Sequence, residues 1–127
     1  MAAIFGHGID IVEIERVTKL YDNYGESFSS RILSSHELED FEQAPDKARF
    51  LAKRFAAKEA AAKALGTGFS EGVVFADFVI SKDGLGKPIL RFLGRALEIV
   101  GEGAHAVMSL SDERHYVVAS VIIQKAH

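Results

Sequence analysis

The sequence predicts an α+β fold, helices packed on an antiparallel sheet, with residues 1–127 forming one domain. Three observations carry that prediction. Apolar residues recur at helical spacing through residues 14–65, strand-like runs around a hairpin turn dominate the second half, and an N-terminal β-branched run finds no partner until that second half arrives.

The elements follow in order. Residues 3–12, AIFGHGIDIV, predict a strand buried on at least one face. EIERVTKLYDNYG predicts a helix, and SSHELEDFE a short one with Ser34 or Ser35 as its N-cap. Pro45 breaks the chain. Residues 46–65 predict a long helix, closed by the GTG of 66–68, where a glycine takes the left-handed cap. VVFADFVISKDGLGKPILRFL gives two strands joined through Asp83-Gly84 and Gly86. Residues 94–103 predict a helix, and AHAVMSLSD with HYVVASVIIQK a second strand pair. No internal repeat or low-complexity segment is present.

A chain of 127 residues with 48% hydrophobic content has enough apolar material for one core and no room for a second domain. With no cysteine, disulfides, thiolate chemistry and cysteine-type zinc sites are excluded. The N-terminus has no basic lead, and no apolar run reaches the ~20 residues of a membrane span. The expectation is a soluble, unexported protein of the cytoplasm with no membrane partner. A net charge of −3 argues against a nucleic-acid-coating surface. That charge is unevenly spread. Lys47, Arg49, Lys53, Arg54, Lys58 and Lys63 stand against Glu59 alone, so residues 47–63 carry +5 and the rest −8. Either a modest anion binds there or the helix shows a solvated basic face.

The long helix has two stripes at spacing 4, 3, 4, 3. Leu51, Phe55, Lys58, Ala62 and Leu65 form the core-facing one, with the Lys58 stem over apolar neighbours and its head reaching water. Ala52, Ala56, Glu59, Lys63 and Gly66 form the other, a small-residue stripe that reads as the floor of a ligand site. Glu59 and Lys63 at i,i+4 also read as an ordinary helix-stabilising pair worth ~0.2–0.5 kcal/mol. Asp10 adds weight to the ligand reading. It lies between Ile9 and Ile11 in the first strand, on a face shared with Gly6 and Gly8, and a carboxylate near a core needs a partner. Asp10 and Glu59 together suit Mg²⁺, which takes one or two carboxylates plus waters and substrate phosphates. DGLGKP, 83–88, offers backbone N–H groups and Lys87 to a phosphate but reads first as a plain turn. The five histidines show no metal-ligand or catalytic-triad spacing.

GIDIVEIERV, FLAKRFAAKEAAAKALGTG, GKP and SLSDERHYVVASVII together resemble the holo-[acyl-carrier-protein] synthase family, the small 4′-phosphopantetheinyl transferases, over residues 6–123. The resemblance implies transfer of 4′-phosphopantetheine from coenzyme A to a serine of apo acyl carrier protein, releasing adenosine 3′,5′-bisphosphate, in fatty acid biosynthesis. It implies Mg²⁺ held by Asp10 and Glu59, with Glu59 and Lys63 as catalytic residues. Coenzyme contacts are implied at Arg54, Lys63, Gly86, Lys87, Pro88 and Ser109. It further implies carrier docking at Arg16, with help from Lys19 and Arg31, and a homotrimer whose sites lie between subunits. The chain departs from the family where a histidine two residues before the late-strand Ser109 is usual. Here that residue is Val107, and His105 is the nearest histidine.

Transfer builds negative charge on phosphate oxygens, which a metal and an ammonium offset. The base that takes the serine proton stays open between Glu59 and a water on the metal. Two other classes use parts of the same pattern. A Mg²⁺-dependent nucleotide pyrophosphatase uses the carboxylates with water as nucleophile, and a module binding RNA or protein through residues 47–63 needs no Asp10.

Overall fold

The computed structural model describes residues 2–126. Strand β1 (Ala2–Glu13) leads into α1 (Ile14–Tyr24), α2 (Glu26–Ile32), a 3₁₀ turn at Ser35–Glu37, α3 (Leu38–Gln43) and the long α4 (Lys47–Leu65). A second 3₁₀ turn (Phe75–Asp77) precedes β2 (Phe78–Lys82) and β3 (Pro88–Phe92), then α5 (Gly94–Val100), β4 (His105–Asp112) and β5 (Tyr116–Ala126). The main sheet has the order β1-β5-β4, antiparallel throughout, and β2-β3 form a separate hairpin.

The α+β expectation is met, and most elements lie where the sequence puts them. Asp46 caps α4 by accepting from the Arg49 N–H at 3.1 Å, and Gly66 ends it in the left-handed conformation at φ 94°. Helix α2 was not expected. ESFSSRI is serine-rich and a weak helix former; the helix stands because Ser29 and Ile32 are buried. The helix expected over 94–103 is shorter, stopping at Gly101 with φ 81°.

Helix α4 lies at the centre, buried on nearly every side and packed across β1 and β5. Its alanines explain how. A Cβ on Gly8 would meet the Ala60 carbonyl oxygen at 2.0 Å, and one on Gly6 the Ala64 oxygen at 1.8 Å, so strand and helix backbones touch. Ala52 and Ala56 are fully buried in the core. The small stripe is therefore a packing surface along most of its length and not a ligand floor, a correction to the sequence reading. Alternation in β1 does hold: Gly6, Gly8, Asp10 and Val12 turn toward α4, while Ile9 and Ile11 point outward, 56% and 63% exposed.

Candidate active site

Three side chains from two elements meet at the end of the β1–α4 contact. Lys63 Nζ lies 2.9 Å from Asp10 Oδ1 and donates to the Ile9 carbonyl at 3.0 Å. Glu59 is one helical turn away and half-buried. Burial pushes its carboxyl above the usual range and the Asp10 charge pushes it further, with Lys63 and Arg16 opposing. Asp10, Glu59, Lys63 and Arg16 line one cavity of about 460 Å³, walled by Val17, Leu20, Phe55 and Tyr116. No alanine of α4 lines it. Arg16 is exposed and makes no ion pair with Glu13 or Glu15 among the described residues; Lys19 takes Glu15 at 3.5 Å. Arg31 lies on a neighbouring apolar cavity with Tyr24, Phe28 and Phe75, and Leu20 and Phe55 wall both.

Two carboxylates open to one cavity, with space for waters and a phosphate, have the hard-oxygen character Mg²⁺ requires. Among the described residues no cluster of three or more His, Cys, Asp or Glu ligands exists.

The other expected site residues lie elsewhere. Arg54, Pro88 and Ser109 line a second cleft, also about 460 Å³, together with Arg49, Phe50, Lys53, Ile80 and Asp112. Gly86 and Lys87 sit in the exposed hairpin turn next to it, where Asp83 Oδ1 accepts the Leu85 and Lys87 N–H groups at 2.8 and 2.9 Å. Val107 and His105 share the outward face of β4 with Ser109 but do not line the cleft. The two sites have no lining residue in common. Glu59 follows Arg54 by five residues, about 7.5 Å of rise and about 140° of rotation, so they open on different sides of α4.

The basic run on α4 is not simply a solvated face. Each cation has a partner supplied by the chain. Lys47 donates to the Glu42 and Ala44 carbonyls, and Arg49 and Lys53 share Asp112 at 2.8 and 3.4 Å. Arg54 and Lys58 share Glu37, and Lys63 takes Asp10. Lys58 corrects the sequence reading directly: its head does not reach water but is fully buried on Glu37 and the Ile32 carbonyl. Glu37 and Asp112 went unnoticed in the sequence. Glu37 had one available signal, the Ser34-x-x-Glu37 capping pattern, and its carboxylate does accept the Ser34 N–H at 2.9 Å. Asp112 had none.

With this geometry in place, residues 6–120 match the model of the 4′-phosphopantetheinyl transferase superfamily. The holo-[acyl-carrier-protein] synthase of Vibrio cholerae is 54% identical over 126 residues, covering 96% of this chain and 98% of that protein. The chain belongs to the holo-[acyl-carrier-protein] synthase family of phosphopantetheinyl transferases. It is thus an enzyme of the transferase class. The crystal structure of the Neisseria meningitidis family member superposes with a TM-score of 0.86 at 43% identity, over 95% of this chain and 98% of that one. A Bacillus anthracis member, solved in complex with CoA (3′,5′-ADP), matches at TM-score 0.82 and 34% identity over 97% and 98% of the two chains. No helix of the described residues is long and apolar enough to cross a membrane.

Proposed function

We propose that this enzyme transfers 4′-phosphopantetheine from coenzyme A to a serine of apo acyl carrier protein, in support of fatty acid biosynthesis in the cytoplasm. The serine oxygen forms a bond to the β-phosphorus, the bond from that phosphorus to the bridging oxygen breaks, and adenosine 3′,5′-bisphosphate leaves with the electron pair. The hydroxyl proton departs to a base. The observation that carries the reading is the meeting of Asp10, Glu59 and Lys63 in one open cavity.

Asp10 and Glu59 would hold Mg²⁺, which when bound would supply positive charge to offset that building on the phosphate oxygens. Lys63 adds a half-exposed ammonium beside them, the charge that offsets the pyrophosphate oxygens. Arg54, Pro88 and Ser109 bind the nucleotide end in the second cleft, bordered by Gly86 and Lys87. Arg16 receives the carrier at the cavity mouth, with Lys19 and Arg31 beyond it on the same side. Carrier proteins of this class are acidic, and exposed cations near the metal steer them.

The separation of the two sites favours an assembly. A coenzyme held by the cleft of one subunit reaches the carboxylates of a neighbour when copies pack through the outward sheet face, where Ile9, Ile11 and Val107 (41% exposed) stand uncovered. A homotrimer with interfacial sites is the proposed state. Sedimentation equilibrium tests it, and a stable, fully active monomer rules it out. The reaction itself is tested by mass spectrometry of apo acyl carrier protein incubated with the enzyme, coenzyme A and Mg²⁺. A mass gain of one phosphopantetheine on the carrier is expected. Hydrolysis of coenzyme A with the carrier unmodified overturns the reading.

A further inference from the structure

Arg54 is the one α4 cation, among the described residues, that is both buried and on the wall of the second cleft. Its side chain is 7% exposed, and its use is lopsided. Its hydrogen bonds all come from Nη1, which donates to Glu37 Oε2 at 2.7 Å and to the Ile80 carbonyl. Nη2 lies 4.0 Å from Asp40 Oδ2, and neither Nη2 nor Nε has a hydrogen-bond partner among the described residues. The guanidinium also lies over the Phe50 ring, 4.5 Å from its centroid. A buried arginine serving only to pair a carboxylate gains most by the two-pronged contact, in which two nitrogens face two oxygens. Glu37 forgoes that contact. Its second oxygen takes the Lys58 ammonium and the Ser34 N–H at 2.9 Å, so just one oxygen is left for Arg54.

The carboxylate is thereby fixed from four directions and fully buried. Burial alone would push it up, but the Lys58 charge and the hydrogen bonds hold it below the usual carboxylate range. Two cations share this one buried anion, and the second anion near Arg54, Asp40, is largely exposed and 4.0 Å away, a long ion pair that solvent screens.

We propose that Glu37 is a positioning residue for coenzyme A: by holding Arg54 through a single guanidinium nitrogen, it fixes that group in the cleft wall with two donors left for the phosphate-bearing end of the nucleotide. This rests on the reading of the cleft given under Proposed function. Glu37 never touches the substrate, and its effect passes entirely through Arg54.

The test is a double-mutant cycle of Glu37→Gln and Arg54→Ala, read by calorimetric titration with adenosine 3′,5′-bisphosphate and by KM for coenzyme A and for carrier protein. Glu37→Gln is expected to weaken bisphosphate binding and raise the coenzyme A KM about tenfold in the natural background, with carrier KM within twofold. In the Arg54→Ala background the same change should do less than twofold. If the natural enzyme binds neither coenzyme A nor the bisphosphate, the proposed function fails and takes this inference with it. If it binds them, the inference alone is overturned by an unaltered affinity in Glu37→Gln or in Arg54→Ala, by additive losses, or by equal losses toward coenzyme and carrier. Should Glu37→Gln not fold, Glu37→Gln/Lys58→Met removes the stranded ammonium and is compared with Lys58→Met by the same measurements and the same criteria.

Discussion

Gly8→Ala tests the contact on which the cavity is built. The added Cβ would stand 2.0 Å from the Ala60 oxygen, 2.6 Å from the Ala64 nitrogen and 2.9 Å from the Lys63 Cβ. Two of these neighbours are backbone of a buried helix and cannot turn aside. Ordinary contact begins near 3.4 Å, so β1 must withdraw from α4 by about 1.4 Å. Asp10 is two residues further on the same face, and its 2.9 Å contact with Lys63 opens by a comparable amount, beyond ion-pair range. Overpacking of this kind costs ~1–3 kcal/mol. For a chain of this size that is a fall in Tm of roughly 4–12 °C. Thermal unfolding by circular dichroism gives the first number, and steady-state transfer to carrier protein the second, with kcat expected to drop at least tenfold. A Tm within 1 °C of the natural protein together with unchanged kcat would refute the claim that strand and helix backbones touch.

Asp10→Ala and Glu59→Ala should each abolish transfer while leaving a folded protein, and Mn²⁺ titration by electron paramagnetic resonance should show weaker binding in both; activity retained in either at ordinary magnesium removes the shared site. Arg16→Ala should raise the carrier KM several-fold and leave coenzyme A binding unchanged, since an exposed cation at the cavity mouth acts on encounter. Equal damage to both substrates would place Arg16 in the reaction centre, and no effect would make it an ordinary surface arginine. Acid should destabilise the fold through Glu37. Its folded carboxyl lies below the ordinary range, so the stability it confers is complete above that range and is lost as pH falls through the lower folded value. The Tm of the natural protein should therefore fall more steeply below about pH 4 than that of Glu37→Gln, whose side chain does not titrate; parallel slopes would assign the acid sensitivity to other carboxylates.

The limits of α4 were legible because they are set locally: Asp46 after Pro45 starts it, and Gly66 ends it. The two hairpins, β2 with β3 and β4 with β5, were legible from the runs themselves, whereas the pairing of β1 with β5 spans nearly the whole chain and has no local sign. That Asp10 and Glu59 open to one cavity was signalled twice, by an acid among isoleucines and an acid on a small-residue stripe. What sequence spacing could not reveal was the identity of the opposing surface. Ala52 and Ala56 are small because the core leaves them no room, and only the far end of that stripe meets a cavity. Lys58 was misread for the same reason: its partner Glu37 stands 21 residues upstream on a 3₁₀ turn. Helix α2 was missed because burial, not propensity, makes it.

The composition of α4 also bears on the order in which the molecule assembles. An alanine-rich segment of 19 residues sits at the length where a helix begins to persist on its own, before any neighbour arrives. The strand that completes the cavity has the opposite character. Asp10 lies opposite Ala119 in the sheet, so β1 finds β5 only by closing a loop of roughly a hundred residues, the kind of contact that forms late. Pulse-labelling hydrogen exchange should accordingly find α4 amides protected ahead of those in β1, and the reverse order would contradict this. Asp10 and Glu59 then come together only as β1 docks on α4, and the cavity they share exists only from that moment.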